Sequence, residues 1–213
     1  MWIESNTVTI KAGERVAKFR MKGVYENIGK TDSLSVTFNL LAKDENIWDL
    51  YGTRTRVQMQ KACPFELSTF EGYCLLTSSF FSAYMTNTEH RLLQAERDKA
   101  EDNTIILHDF FYKNYDLKIK YDPSDPLKPF VEFDEQIIGS TAEAFGTIYG
   151  NGKLMCDQPV AYDSYYNVCQ KFVILYTTIY VVGKGTVGTY VNILEWISDE
   201  EAEQYKKRKD SKL

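Results

Sequence analysis

The sequence predicts an all-β or β-rich fold, an antiparallel β-sandwich or barrel that is jelly-roll-like, with one short central helix and one short C-terminal helix. Roughly ten segments alternate polar with apolar residues or are rich in Val, Ile, Thr and Tyr, and turn signals separate them. The 213 residues are 44% hydrophobic and 14% aromatic, which is enough for a sizeable core. We therefore expect a single β-rich domain over residues 1–197, followed by a charged helix and tail over residues 198–213.

Alternation of polar and apolar side chains marks the clearest strands. Residues 33–40 alternate without a break, which is typical of a strand with one buried face. Residues 17–22 and 53–60 repeat the pattern. Residues 105–112 and 115–121 are separated by a turn signal, so they predict a hairpin.

Glycine-containing turns predict two further hairpins. The first joins residues 145–149 to residues 153–156 through Gly150-Asn151-Gly152. The second joins residues 171–182 to residues 186–197, and these should be the two longest paired strands. Their turn begins a G-x-G-x-x-G pattern, which also occurs in dinucleotide sites. Because a strand and not a helix follows it, we interpret the pattern as a hairpin turn.

Two segments carry helix-start signals. Thr86–Glu89 has capping-box spacing ahead of residues 90–100, where a surface helix is expected. Ser198–Glu201 has the same spacing, with acidic residues in the first turn and basic residues at 206–209. That charge order matches the dipole of a short C-terminal helix.

Charge and hydropathy argue against two classes of partner. The formal net charge is −5, and no basic stripe is interleaved with aromatic residues, so nucleic acid is not an expected partner. The longest apolar stretch, residues 172–182, is shorter than the roughly 20 residues that a membrane-spanning helix needs. We expect no membrane span.

The cysteines and the termini bear on location. The chain has four widely spaced cysteines, Cys63, Cys74, Cys156 and Cys169. None forms a C-x-x-C motif, and no export signal is visible, so we expect reduced thiols. This favours a cytoplasmic location, or one within a particle assembled there. Ser211-Lys212-Leu213 matches a peroxisomal address, which makes the peroxisomal matrix the alternative in a eukaryotic source.

Material for catalysis is sparse. The chain has two histidines, and His108 adjoins Asp109. Glu132 and Asp134 would project to the same side of a strand and are the other candidate acid/base pair. A solvated face explains such carboxylates equally well. We expect no catalytic residues, no metal site and no cofactor, so an enzyme is the third-ranked hypothesis.

Tyrosines provide two candidate surfaces. A ligand-binding platform is expected from Tyr149, Tyr162, Tyr165 and Tyr166. Their rings lie near Asn and Asp residues in the sequence, as in a sugar-binding site, although an interface or core packing explains them too. On the strand of residues 171–182, both faces are apolar or aromatic. Tyr176 and Tyr180 therefore predict a second layer or a partner subunit over that face.

These observations lead to two main hypotheses. The first is a non-enzymatic structural or assembly subunit, which self-associates as a homo-oligomer or docks into a larger protein complex such as a virus or phage particle. It rests on the many strands, the 15 Tyr and 12 Phe, and the sparse catalytic material. The second is a β-barrel or sandwich that binds a glycan or another small ligand through the four tyrosines.

Overall fold

The chain folds into two compact units, Met1–Ala62 and Cys63–Leu213. The computed structural model describes residues 2–3, 9, 11–14, 16–30, 32–39, 54–85, 88–126 and 128–210. The single domain predicted over residues 1–197 stays a prediction.

The unit Met1–Ala62 contains short antiparallel strand pairs. Its described elements are β1 (Trp2–Ile3), which pairs with β2 (Met21–Lys22), β3 (Ser33–Asn39), which pairs with β4 (Arg54–Gln60), and a 3-10 helix over Tyr25–Asn27. The strands predicted over residues 33–40 and 53–60 are therefore confirmed within the described residues. Val36 lies opposite Val57, as their shared alternation requires. Leu40 and Thr53 lie outside the described residues.

The unit Cys63–Leu213 is built around one antiparallel sheet. Its strands are β5 (Gly72–Ser78), β6 (Arg91–Arg97), β7 (Thr104–Leu107), β8 (Leu117–Asp122), β9 (Phe130–Glu132), β10 (Gln136–Ser140), β11 (Lys153–Asp157), β12 (Ser164–Asn167), β13 (Phe172–Val181) and β14 (Gly185–Trp196). The sheet closes into an eight-stranded barrel in the order β5-β6-β7-β8-β9-β12-β13-β14, with β14 paired to β5. Strands β10 and β11 extend the barrel wall beside β13.

The β-rich antiparallel barrel is confirmed, whereas the jelly-roll-like connectivity is not. A jelly roll consists of two Greek keys with long connections between distant strands. Here most strands pair with their neighbours in sequence, in an up-and-down order. The long hairpin of β13 and β14 is confirmed, and its turn uses Gly183 and Gly185 at φ values of 74° and 118°. The hairpin of β7 and β8 is also present, although residues 108–112 turn away from the sheet.

The central helix predicted over residues 90–100 is wrong, because Arg91–Arg97 form strand β6. Leu93 and Ala95 face the core, whereas Gln94 and Glu96 are exposed. This burial has the two-residue period of a strand, and pairing with β5 and β7 outweighs the helix propensity of the sequence. Thr86 and Asn87, which begin the proposed capping box, lie outside the described residues.

The hairpin predicted between residues 145–149 and 153–156 is also wrong. Its first strand does not form, because a capped helix, α2 (Thr141–Phe145), ends where that strand was predicted to begin and residues 146–149 are irregular. The N-cap is Ser140, whose hydroxyl accepts a hydrogen bond from the backbone N–H of Glu143 at 3.2 Å. Strand β11 then pairs with β10 and β13 instead. Two further short helices are α1 (Ser79–Tyr84) and a 3-10 helix over Leu67–Phe70.

The C-terminal helix is confirmed as α3 (Asp199–Asp210). Its predicted capping box forms, since the Glu201 carboxylate accepts a hydrogen bond from the backbone N–H of Ser198 at 2.8 Å. The helix is anchored to the barrel as well. Ala202 is fully buried, and the Lys206 ammonium lies 4.4 Å from the centre of the Tyr73 ring on β5.

Aromatic side chains fill both ends of the barrel. At one end Phe70 stacks on Tyr121 at 4.6 Å, and the edge of Trp196 meets Phe70 at 5.1 Å. At the other end Phe80 stacks on Phe111 at 4.7 Å. Such rings bury large apolar areas and dominate the energetics of a core. The barrel interior is therefore a packed core.

A disulfide joins Cys63 to Cys169 across 106 residues, with Cα atoms 5.3 Å apart. The expectation of reduced thiols is wrong for this pair, because only the tertiary fold brings two such distant residues together. Cys74 and Cys156 are free and buried, and burial raises the pKa of both thiols. Neither therefore resembles a reactive cysteine.

The disulfide should contribute strongly to stability. Replacing both Cys63 and Cys169 with Ser should lower the free energy of unfolding by about 2–5 kcal/mol, because the crosslink restricts a long loop in the unfolded chain. Urea unfolding with and without a reductant measures this. The matched control is the double variant, whose midpoint should not respond to reductant. A wild-type midpoint that reductant leaves unchanged would contradict the prediction.

Candidate functional site

The outer surface of the barrel carries a row of apolar side chains. Phe130, Tyr165, Ile174 and Ile193 lie directly opposite one another on β9, β12, β13 and β14. Facing side chains of this kind have Cβ atoms about 4.5–5.5 Å apart, so the four form a continuous band. Phe130 and Tyr165 are 37% and 41% exposed, and the two isoleucines are half-buried. We call these four residues the outer row.

Strand alternation explains why the row faces outward. The neighbouring residues Val131, Val173 and Leu194 are buried in the core, so the residues beside them in each strand project from the other face. Around the row, the edge of Phe172 meets the Tyr165 ring at 6.3 Å.

The four tyrosines of the predicted platform do not lie together on one face. Tyr165 belongs to the outer row, but Tyr166 is buried in the core, because consecutive strand residues point in opposite directions. Tyr162 is exposed and stacks on Tyr176 at 5.1 Å. Tyr149 contacts Phe145 of α2 at 5.9 Å.

Tyr176 and Tyr180, the predicted interface residues, are half-buried on the outer face of β13. Part of their cover comes from the same chain. Tyr162 stacks on Tyr176, and the Tyr180 hydroxyl donates a hydrogen bond to the Glu135 carboxylate. Their burial against a partner subunit stays a prediction.

A break in the barrel wall lies between β9 and β10, at residues 133–135. Beyond it, the side-chain amide of Gln136 takes the place of a neighbouring strand. It accepts a hydrogen bond from the backbone N–H of Lys118 at 2.8 Å and donates one to the Lys118 carbonyl at 2.9 Å. Both polar groups of the Lys118 backbone are thereby satisfied where the strand is interrupted.

A cleft of ≈ 420 Å³ opens beside this break, and we call it the strand-break cleft. Its polar side chains include Lys118, Lys120, Glu132, Asp134, Gln136 and Gln158. The predicted acid/base candidates Glu132 and Asp134 thus line one cleft. The Glu132 carboxylate lies 3.7 Å from the Lys120 ammonium, which is longer than a hydrogen bond.

Lys118, which lines the cleft, forms a close ion pair with Asp98. The Lys118 ammonium donates to Asp98 at 2.5 Å, and Asp98 also accepts from the backbone N–H of Ala100 at 2.8 Å. The bond from Lys118, followed by that from Ala100, lowers the pKa of Asp98. Asp98 is therefore fixed as an acceptor, and Lys118 is held in place by it.

Residues 50–208 match the model of a family described as a domain of unknown function (DUF4984). The chain belongs to this family. No curated protein and no solved structure matches the chain. The match to DUF4984 includes β4, every strand of the barrel and all but the end of α3, so both the outer row and the strand-break cleft lie within the family's domain.

The described residues of this DUF4984 chain contain no group of three or more His, Cys, Asp or Glu side chains placed to hold a metal ion. They also contain no helix with the length and apolar composition needed to cross a membrane.

The sequence suggested that His108 pairs with Asp109, but in the structure His108 contacts two other carboxylates. Its Nδ1 lies 2.9 Å from the Asp116 carboxylate, and its Nε2 lies 3.4 Å from the Glu96 carboxylate. Partial burial lowers the pKa of His108, but the bonds and charges of Asp116 and then Glu96 outweigh burial and leave the pKa raised. Adjacency along the chain does not reveal this arrangement, because Glu96 lies on β6 and Asp116 lies at the far end of the connection between β7 and β8.

The His108 pairing predicts a pH-dependent stability difference. A raised pKa in the folded state means that protonated His108 stabilises the fold below its unfolded pKa of about 6.5, and that this contribution disappears as pH rises through the folded pKa. His108→Gln should cost less than about 1 kcal/mol at low pH, because the pairs are solvent-exposed. Urea unfolding of both proteins between acidic and alkaline pH measures the difference. A difference that grows with pH would contradict the prediction.

Proposed function

We propose that this protein is a non-enzymatic assembly subunit that associates with a second copy of itself through the outer row. The observation that carries the proposal is the exposure of Phe130 and Tyr165 in a band of apolar side chains four strands wide. Protein interfaces are enriched in aromatic residues at their cores. Removing apolar surface from water contributes about 25 cal/mol per Å², which opposes the entropic cost of association.

The shape of the outer row supports a protein partner. Neighbouring strands lie about 4.8 Å apart, so four strands present a surface roughly 14 Å wide before side chains are counted. A surface of this kind suits the centre of an interface, which typically buries about 800 Å² on each partner. Small-molecule sites are instead concave.

The chemistry of the outer row supports self-association. None of its four members carries a charge, so a two-fold axis through the row would place apolar side chains on apolar side chains without repulsion. Tyr165 combines an apolar ring with a hydroxyl group, which is typical of residues that dominate interface energetics.

The disulfide between Cys63 and Cys169 bears on where association takes place. Disulfides persist in oxidising compartments and are rare in the cytosol. We therefore propose an oxidising compartment in place of the cytoplasmic location that the sequence favoured. The proposed peroxisomal address, Ser211-Lys212-Leu213, lies outside the described residues.

Tyr165→Glu should weaken self-association by about 100-fold or more, because it would bury an unpaired charge in the interface. Size exclusion with light scattering measures the change across a concentration series, and circular dichroism checks that the fold is retained. Tyr149→Glu is the matched control, since Tyr149 is 47% exposed but lies beside α2. A wild-type protein that remains monomeric at its highest soluble concentration would refute the proposal. So would an oligomer that Tyr149→Glu dissociates and Tyr165→Glu does not.

A further inference from the structure

We propose that the strand-break cleft binds a neutral, polyhydroxylated ligand, and that the ligand is a sugar unit of a glycan. The cleft shares no residue with the outer row, and the inference does not depend on self-association. Its volume of ≈ 420 Å³ falls within the usual range of small-molecule sites, about 300–1,000 Å³.

The charges around the cleft favour a neutral ligand. Lys118 and Lys120 line it together with three carboxylates, those of Glu101, Glu132 and Asp134. The carboxylates would repel an anion, and the lysine ammonium groups would repel a cation, so either ligand would make some unfavourable contacts. Hydroxyl groups both donate and accept hydrogen bonds, so a sugar can use both sets.

Several polar groups in the cleft have bonding capacity left for a ligand. Lys120 and Glu132 lie 3.7 Å apart, too far for a strong hydrogen bond to each other. Gln158 accepts a hydrogen bond from the backbone N–H of Phe133 at 3.3 Å through its carbonyl oxygen, which orients its amide group. That group has two N–H donors.

The cleft is also held rigidly, which lowers the entropic cost of binding. Gln136 is fixed by its two hydrogen bonds to the Lys118 backbone, and Lys118 is fixed by Asp98. Phe133 also lines the cleft. Polar groups held in place beside an apolar side chain are typical of a preorganised ligand site.

The test is to titrate the full chain with the methyl glycosides of glucose, galactose and mannose. Backbone amide NMR spectra recorded during the titration measure binding. Glucose 6-phosphate and glucosamine serve as charged comparators. For a ligand of this size we expect a Kd of about 1 mM for at least one neutral glycoside. Saturable shifts should centre on residues 132–136 and 158.

Variants distinguish the cleft from non-specific contact. Glu132→Ala and Asp134→Ala should each weaken binding by about tenfold, because each removes a hydrogen-bond acceptor for the sugar. Asp163→Ala, an exposed carboxylate outside the cleft lining, should leave the Kd unchanged.

Three results would overturn the proposal. These are no saturable shift with any neutral glycoside, binding of a charged comparator alone, or equal affinities in all the variants. Light scattering of the same samples reports self-association separately, so failure of this site and failure of the outer row would be distinguished.

Discussion

Pairing of β14 with β5 closes the sheet, placing Asn192–Trp196 opposite Cys74–Ser78. An open sheet would leave two edges of unpaired N–H and C=O groups, and closure removes them. Closure also fixes which side of every strand is the core side, because side chains alternate along each strand. Because the core side of each strand is fixed, the aromatic side chains at the two ends of the barrel face inward and the outer row faces outward.

Closure also brings together a cluster of buried polar side chains from β5, β13 and β14. Asn192 is fully buried, and its amide donates to the Leu175 carbonyl at 2.9 Å and to the Thr177 hydroxyl at 3.0 Å. The Ser78 hydroxyl donates to its carbonyl oxygen at 2.6 Å. Because all of these groups have partners, the core tolerates them without the cost of an unsatisfied buried polar group.

The break at residues 133–135 shows how a cleft arises where two strands are interrupted. Strand β9 pairs with β8 only over Lys120–Asp122, so this side of the Lys118 backbone has no neighbouring strand to bond to. Gln136 supplies the missing bonds from its side chain, so the Lys118 backbone is satisfied at the break while a cleft forms beside it. The outer row, by contrast, lies where the strands pair without interruption.

Signals confined to a few neighbouring residues determined part of this structure. Alternation predicted β3, β4 and β8, glycines predicted the turn of the β13–β14 hairpin, and Ser198–Glu201 predicted the start of α3. The site was less predictable: the sequence identified Tyr165, Glu132 and Asp134 as candidates, but not their surroundings.

Only the tertiary structure decided the features that depend on distant partners. Residues 91–97 became a strand because β5 and β7 pair with them, and Cys63 is bonded to Cys169, 106 positions later in the chain. Tyr165 and Tyr166 look equivalent in the sequence, yet one is exposed and the other buried, because the strand's register within the closed barrel assigns its faces. Local propensity carries no information about such pairings, because burial and hydrogen bonding between distant strands of the barrel determine them.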